Sequence, residues 1–386
     1  MKKIGREVLF LKTGKGNPRN GESSMLRLKD GRIMFVYTEY IGDDWADHAT
    51  ARISALYSSD EGESWTAPSV VIEKPSGAQN IMSPSLFRIA DGTLGMVYLR
   101  KDIREDNGVT CMPLFVCSSD EGKSWSEPVV CGLPDGYYCA INDGVTVAKS
   151  GRIYVPTSYT GARRDVLHKM DPRPAPHVSD LRIACSDDNG KTWYQYHKIF
   201  RSPYDNAHGL FEPGLFEHED GTLWVYARTA FGHQYQSLSH DGGETWSAVE
   251  PNFRFTTPDS PMRVKRVGKY VAAVYNPIGY NCLFTETEKW GSPKRTPIVV
   301  SISEDDGKSL NDPAKSAASG GLLNVAKNTF MLEDDLTNSY CYPSIVEVKD
   351  GFLVSYYHSD GTDVCLNASK IVKIGFDEIE IGGEKI

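Results

Sequence analysis

An eight-residue pattern, Ser-x-Asp-x-Gly-x-x-Trp, recurs along this chain and constrains its fold more than any other feature. Full copies begin at Ser58, Ser118, Ser186 and Ser239 and end at Trp65, Trp125, Trp193 and Trp246. A fifth copy runs from Ser303 through Asp305 and Gly307 and carries Leu310 where the others carry Trp. The residue types suit a tight turn. Asp caps backbone amides, Gly takes a positive φ, and Trp packs the turn onto a sheet.

A second repeat is interleaved with the first. Two alternating apolar runs flank a tight turn at Asp30-Gly31, Asp91-Gly92, Ser150-Gly151, Asp220-Gly221, Val267-Gly268 and Asp350-Gly351. Such turns mark β-hairpins. Six hairpins, five of them followed by a box, make a repeat of roughly 60 residues with about four strands, which is a propeller blade. The expected fold is all-β, a six-bladed β-propeller with four antiparallel strands per blade, in one domain over residues 1–386. The sixth blade has no box, and a strand at Val8–Leu11 is expected to complete it. No long 3.6-residue periodicity is present.

Composition narrows the partners. The 386 residues carry a net charge of −9, which argues against nucleic acid and anionic membrane surfaces. No apolar run reaches 18 residues, so no membrane-spanning helix is expected. The apolar run at Val8–Leu11 is too short for an export signal, and the eight cysteines show no Cys-x-x-Cys pairing. A reducing cytoplasm is the expected location, although a chain trimmed of its signal would read alike. The nine histidines have no ligand spacing, and no Gly-x-Ser-x-Gly elbow occurs. No metal, no cofactor and no serine hydrolase chemistry is expected.

The repeat also says where chemistry belongs. If the strands of a blade are A to D from axis to rim, the Asp-Gly turns and the boxes share one face. The starts of A, the ends of B and the B–C loops share the other. Eight positions before each tight turn stand Glu22, Ser83, Asn142, Glu212, Asp259 and Tyr342, all polar, which reads as a ring around a central pocket. B-ends offer Glu39, Arg100, Tyr159, Arg228, Asn276 and His358. Long B–C loops run over Tyr40–His48, 161–180 and 276–294, the last with Tyr280 and Trp290.

The boxes and this organisation resemble the sialidase (neuraminidase) superfamily, the BNR or Asp-box proteins, over essentially the whole chain. The resemblance implies a Glu at the start of the fourth hairpin and an Arg at its end, which Glu212 and Arg228 match. It implies a Tyr nucleophile before the last hairpin, which Tyr342 matches, with Pro343 and Ser344 departing from the usual Ser-Asp. Arg295 looks like a later family Arg, and Asp47 like the acid/base Asp, with Asp43 and Asp44 as rivals. The family's three-arginine clamp is headed by an Arg at the first hairpin, and no Arg occupies that spot in this sequence. Glu22 stands beside that spot, and Arg19 falls two residues too early.

The function implied is an exo-acting glycoside hydrolase on a terminal sugar, sialic-acid-like or other, with a glycan as partner. Tyr342, Glu212 and Asp47 would be catalytic. Arg228, Arg295, Glu22, Asp259, Asn142, His358 and Arg100 would bind substrate. On a different sugar, Glu22, Glu212, Asp259 and Asp47 could instead supply an acid/base carboxylate pair. The alternatives are a polysaccharide lyase or other carbohydrate-active enzyme on the same scaffold, and a non-catalytic carbohydrate-binding propeller.

Overall fold

The computed structural model describes residues 1–104, 108–161, 179–204, 208–279, 295–312, 325–359, 366–381 and 384–385. Most of the second and third long B–C loops, including Tyr280 and Trp290, lies outside the described residues.

Six antiparallel sheets form a ring. Blade 1 holds Asn20–Arg27, Ile33–Tyr40, Ala51–Ser58 and Ser69–Ile72, in that order from axis to rim. Blades 2, 4 and 5 repeat this order, their first strands being Ala78–Arg88, Phe211–Glu217 and Arg263–Val267. Blade 3 departs from it. Its axial strand is split into Tyr138–Cys139 and Thr146–Val147 around a turn at Asn142-Asp143. Blade 6 comprises Cys341–Val348, Gly351–His358 and Ala368–Gly375, and its rim strand is the N-terminal Arg6–Leu11. Lys370 bridges to Glu7 at 3.2 Å across that seam.

The strands are apolar on both faces because each blade is covered on both sides. One buried cluster fills each junction between neighbouring blades. Met34, Val36, Leu86 and Met96 lie between blades 1 and 2, and Ile345, Val354, Val300 and Ile302 between blades 5 and 6. Each fully buried side chain of this kind contributes roughly 1.5–3 kcal/mol.

The boxes tie these junctions. In the first, Asp60 Oδ1 accepts from Ser58 Oγ at 2.8 Å and from Ser64 N at 2.9 Å, while Gly62 N donates to Ser58 Oγ at 2.8 Å. The Ser-Asp-Gly bonding recurs in all five copies, including the one with Leu310. Gly62, at φ 84°, has no room for a Cβ, which would meet Leu353 of blade 6 at 2.7 Å. The boxes thus serve the scaffold, and the opposite face is left for the site.

Candidate active site

Four axial strands begin with the same distortion. The register slips by one residue between Gly21 and Ser24, Met82 and Ser85, Phe211 and Gly214, and Cys341 and Ser344. The extra residue is a β-bulge, which re-aims a side chain. In each bulge a non-glycine residue has positive φ: Glu22 at 49°, Ser83 at 56°, Glu212 at 42° and Tyr342 at 55°. Pro84, Pro213 and Pro343 take the second bulge position, where no ladder hydrogen bond is lost. Such backbone conformations cost about 1–3 kcal/mol each and gather at functional sites.

These four side chains line a central cavity of about 300 Å³, at the small end for ligand pockets. One wall carries Arg19, Glu22, Asp47, Lys101, Glu212, Arg228, Arg295 and Tyr342. The other is largely apolar, made by Met82, Leu99, Cys111, Tyr137, Cys139 and Ala140 of blades 2 and 3.

Tyr342 and Glu212 form a couple. Tyr342 Oη donates to Glu212 Oε1 at 2.6 Å, and Arg228 Nη1 holds Glu212 Oε2 at 2.7 Å. Burial first, and the Glu212 charge second, push the Tyr342 hydroxyl well above its ordinary pKa, so it rests neutral. Arg228 is anchored from behind by Asp259, whose Oδ1 lies 3.0 Å from Nε while Oδ2 meets His208 Nδ1 at 2.5 Å.

Arg19 is held between the Tyr40 and Tyr357 rings, with Cζ 4.8 and 5.1 Å from their centres. It donates to Tyr357 Oη at 2.9 Å, Asp47 Oδ1 at 2.6 Å and Glu22 Oε1 at 3.3 Å. Partial removal from water works against ionising Asp47. The charges of Arg19 and Lys101 outweigh it and hold the carboxyl well below the usual range. Glu22 goes the other way. Burial, with Asp47 and Glu212 nearby, pushes it up to about 7 against the pull of Arg19 and a hydrogen bond from Ser83.

Arg295 makes no ion pair among the described residues, although it is 92% buried, as its 8% exposure shows. Its Nη1 contacts Cys341 Sγ at 3.1 Å, and burial keeps that thiol protonated by pushing it up to about 11. Arg295 Nε has no hydrogen-bond acceptor among the described residues. Its guanidinium feels the Asp259 carboxylate only at a distance, without a direct ion pair among the described residues.

Several expected binding residues lie off the cavity wall. Asn142 is buried beneath it, with Nδ2 on the carbonyls of Ser23 and Tyr342. Asp259 stands behind Arg228, because it belongs to a bend before the axial strand of blade 5. His358 packs edge-on to Phe10 and Tyr340 and bonds the Ser359 carbonyl. Arg100 is paired with Asp102, and the cavity receives Lys101 instead. Successive strand residues face opposite ways, so the one-residue difference decides the matter.

The first-hairpin arginine was expected to be missing, and here the expectation is corrected. Arg19 lines the cavity from the connection between blades 6 and 1, and residue counting does not capture that path. His208, Tyr137 and Ser339 enter from the equivalent D–A connections. These connections open on the site face, so their polar residues are the signal that strand starts and ends leave out.

The BNR repeat-like domain model matches residues 47–355. No curated protein matches the chain in sequence. Among solved structures, a protein of unknown function from Dyadobacter fermentans superposes with a TM-score of 0.70 at 20% identity, over 96% of this chain and 99% of that one. The NanB sialidase of Streptococcus pneumoniae gives 0.67 at 13% identity, over 98% and 71%. The intramolecular trans-sialidase of Ruminococcus gnavus gives 0.63 at 14% identity, over 98% of both chains. At these identities the likeness is one of fold.

Proposed function

Because the chain belongs to the BNR repeat-like family, we propose that it is a retaining exo-glycosidase that removes a terminal acidic sugar of the sialic-acid type. The observation that carries the reading is the Tyr342–Glu212 couple at 2.6 Å, facing the central cavity. An anomeric carbon bearing a carboxylate repels an anionic nucleophile. A neutral tyrosine with a base on its hydroxyl avoids the repulsion.

Tyr342 Oη attacks the anomeric carbon as Glu212 takes its proton, and Arg228 steadies the Glu212 carboxylate. Arg295, which makes no direct ion pair among the described residues, receives the sugar carboxylate, with Arg228 and Arg19 also lining the cavity. The apolar wall of blades 2 and 3 fits an acyl substituent. A cavity of this size holds one sugar unit, which supports attack at a chain end.

The test is release of the aryl group from an aryl α-sialoside. Tyr342→Phe and Glu212→Gln should each lose at least about 10²-fold in kcat, the usual scale for an acid–base or nucleophilic group. Turnover that survives both substitutions refutes the reading. Binding of the sugar with no turnover by the wild type moves it to a non-catalytic receptor.

A further inference from the structure

The retaining reaction needs a proton for the departing sugar oxygen, and two carboxyl groups of blade 1 face the cavity. Asp47 is exposed at the mouth and sits in a 2.6 Å ion pair with Arg19. A carboxylate paired this closely holds a proton poorly. Glu22 lies deeper, 5% exposed, on the strained bulge that turns it toward the axis. One oxygen meets Arg19 Nη2 at 3.3 Å, a weaker contact than the one Asp47 receives. The other meets the Ser83 hydroxyl, which also lines the cavity. A hydroxyl both donates and accepts, so this contact accommodates a protonated carboxyl.

Resting on the glycosidase reading above, we propose that Glu22 is the proton donor to the departing sugar oxygen, with Ser83 as its hydrogen-bonding relay. The proton leaves Glu22 for the Ser83 oxygen as the Ser83 proton passes to the glycosidic oxygen. The bond from that oxygen to the anomeric carbon breaks, and the bond to Tyr342 Oη forms, its proton going to Glu212. In the second half, water adds to the anomeric carbon and returns a proton through Ser83 to Glu22. Tyr342 leaves and recovers its proton from Glu212.

Two further observations agree. Four cations on the wall, Arg19, Lys101, Arg228 and Arg295, face the three carboxyl groups Glu22, Asp47 and Glu212. Keeping Glu22 neutral leaves more positive charge for an anionic sugar. The groups that act on Glu22 are Arg19, Asp47, Glu212 and the Ser83 hydroxyl, and burial with the two carboxylates outweighs Arg19 in favour of the proton. Asp47, held ionised by Arg19, is left to orient the sugar.

The experiment compares phenyl and 4-nitrophenyl α-sialosides, of which only the first needs a proton to leave. Glu22→Gln is near-isosteric with the protonated acid and removes only its transferable proton, and it should lose about 10²- to 10⁴-fold on the phenyl substrate and under about 10-fold on the nitrophenyl one. Ser83→Ala, a second variant, should show the same split more weakly. Glu22→Gln should also lose the alkaline limb of the pH–rate profile, which a structural role would not remove. Should the split appear in Asp47→Asn and not in Glu22→Gln, this assignment falls and the glycosidase reading stands. If the wild type releases neither phenol, both fall together.

Discussion

Asp143 offers the sharpest test of how the ring is held at its axis. It is 1% exposed and at φ 56°, in the turn that splits the axial strand of blade 3. Its carboxylate accepts from Ser24 Oγ of blade 1 at 2.8 Å, Lys265 Nζ of blade 5 at 2.6 Å and Ile345 N of blade 6 at 3.2 Å. Arg263 Nε is 3.6 Å away. One side chain therefore joins four blades under the cavity floor. Asp143→Asn keeps the shape and leaves the Lys265 and Arg263 charges without their counter-ion, which should cost about 3–5 kcal/mol. With about 2.1 cal/mol/K of unfolding entropy per residue, 386 residues give roughly 0.8 kcal/mol/K, so Tm should fall by about 4–6 °C. Adding Lys265→Met removes one stranded charge and should restore about 2 kcal/mol. Urea titration of the wild type, both singles and the double gives the coupling. A cost under about 1 kcal/mol for Asp143→Asn, or strictly additive singles, refutes the idea that the hub is electrostatic.

Two further outcomes are expected. Glu22 sits at about 7 folded against 4.5 unfolded, so the native state keeps a proton that the unfolded chain releases between those values. The stability this confers is complete below pH 4.5 and is lost as pH rises through about 7, a change of about 3 kcal/mol. Urea midpoints at pH 5 and pH 8 should show it, and Glu22→Gln should flatten the difference; equal slopes in both proteins would count against a protonated Glu22. Gly21→Ala would place a methyl 1.8 Å from the Tyr357 ring, which is buried and bonded to Arg19. It should cost about 1–3 kcal/mol and weaken sugar binding as Arg19 shifts; unchanged stability together with unchanged affinity would show that the ring and Arg19 are not coupled.

The ring was legible because its signals are local. A box is closed by hydrogen bonds within eight residues, and each tight turn fixes the register of its own hairpin, so counting repeats counts blades. The same reasoning found the strand closing blade 6, since a blade without a partner strand exposes an edge. In the cavity, Glu22, Ser83, Glu212 and Tyr342 were legible because all four head axial strands. The rest depends on geometry that patterns do not carry. Whether Arg100 or Lys101 faces inward depends on a pleat, and whether Asp259 reaches the cavity depends on where the strand after it begins. Arg19 was displaced from its expected count because it reaches the site along a connection.

The rim strand of blade 6 has a bearing on how the chain acquires its shape. Within the ring, Arg6–Leu11 is synthesised before every other strand, and its partner Ala368–Gly375 after every other. Its hydrogen-bonding edge therefore waits, unpaired, while five blades are synthesised. Joining ends some 360 residues apart costs on the order of 5 kcal/mol in loop entropy if made from an open chain. Blades already stacked shorten that search by bringing the two ends together. On this reasoning the ring strand made first should be the last to be seated, and its docking should lock a ring that until then is an open arc.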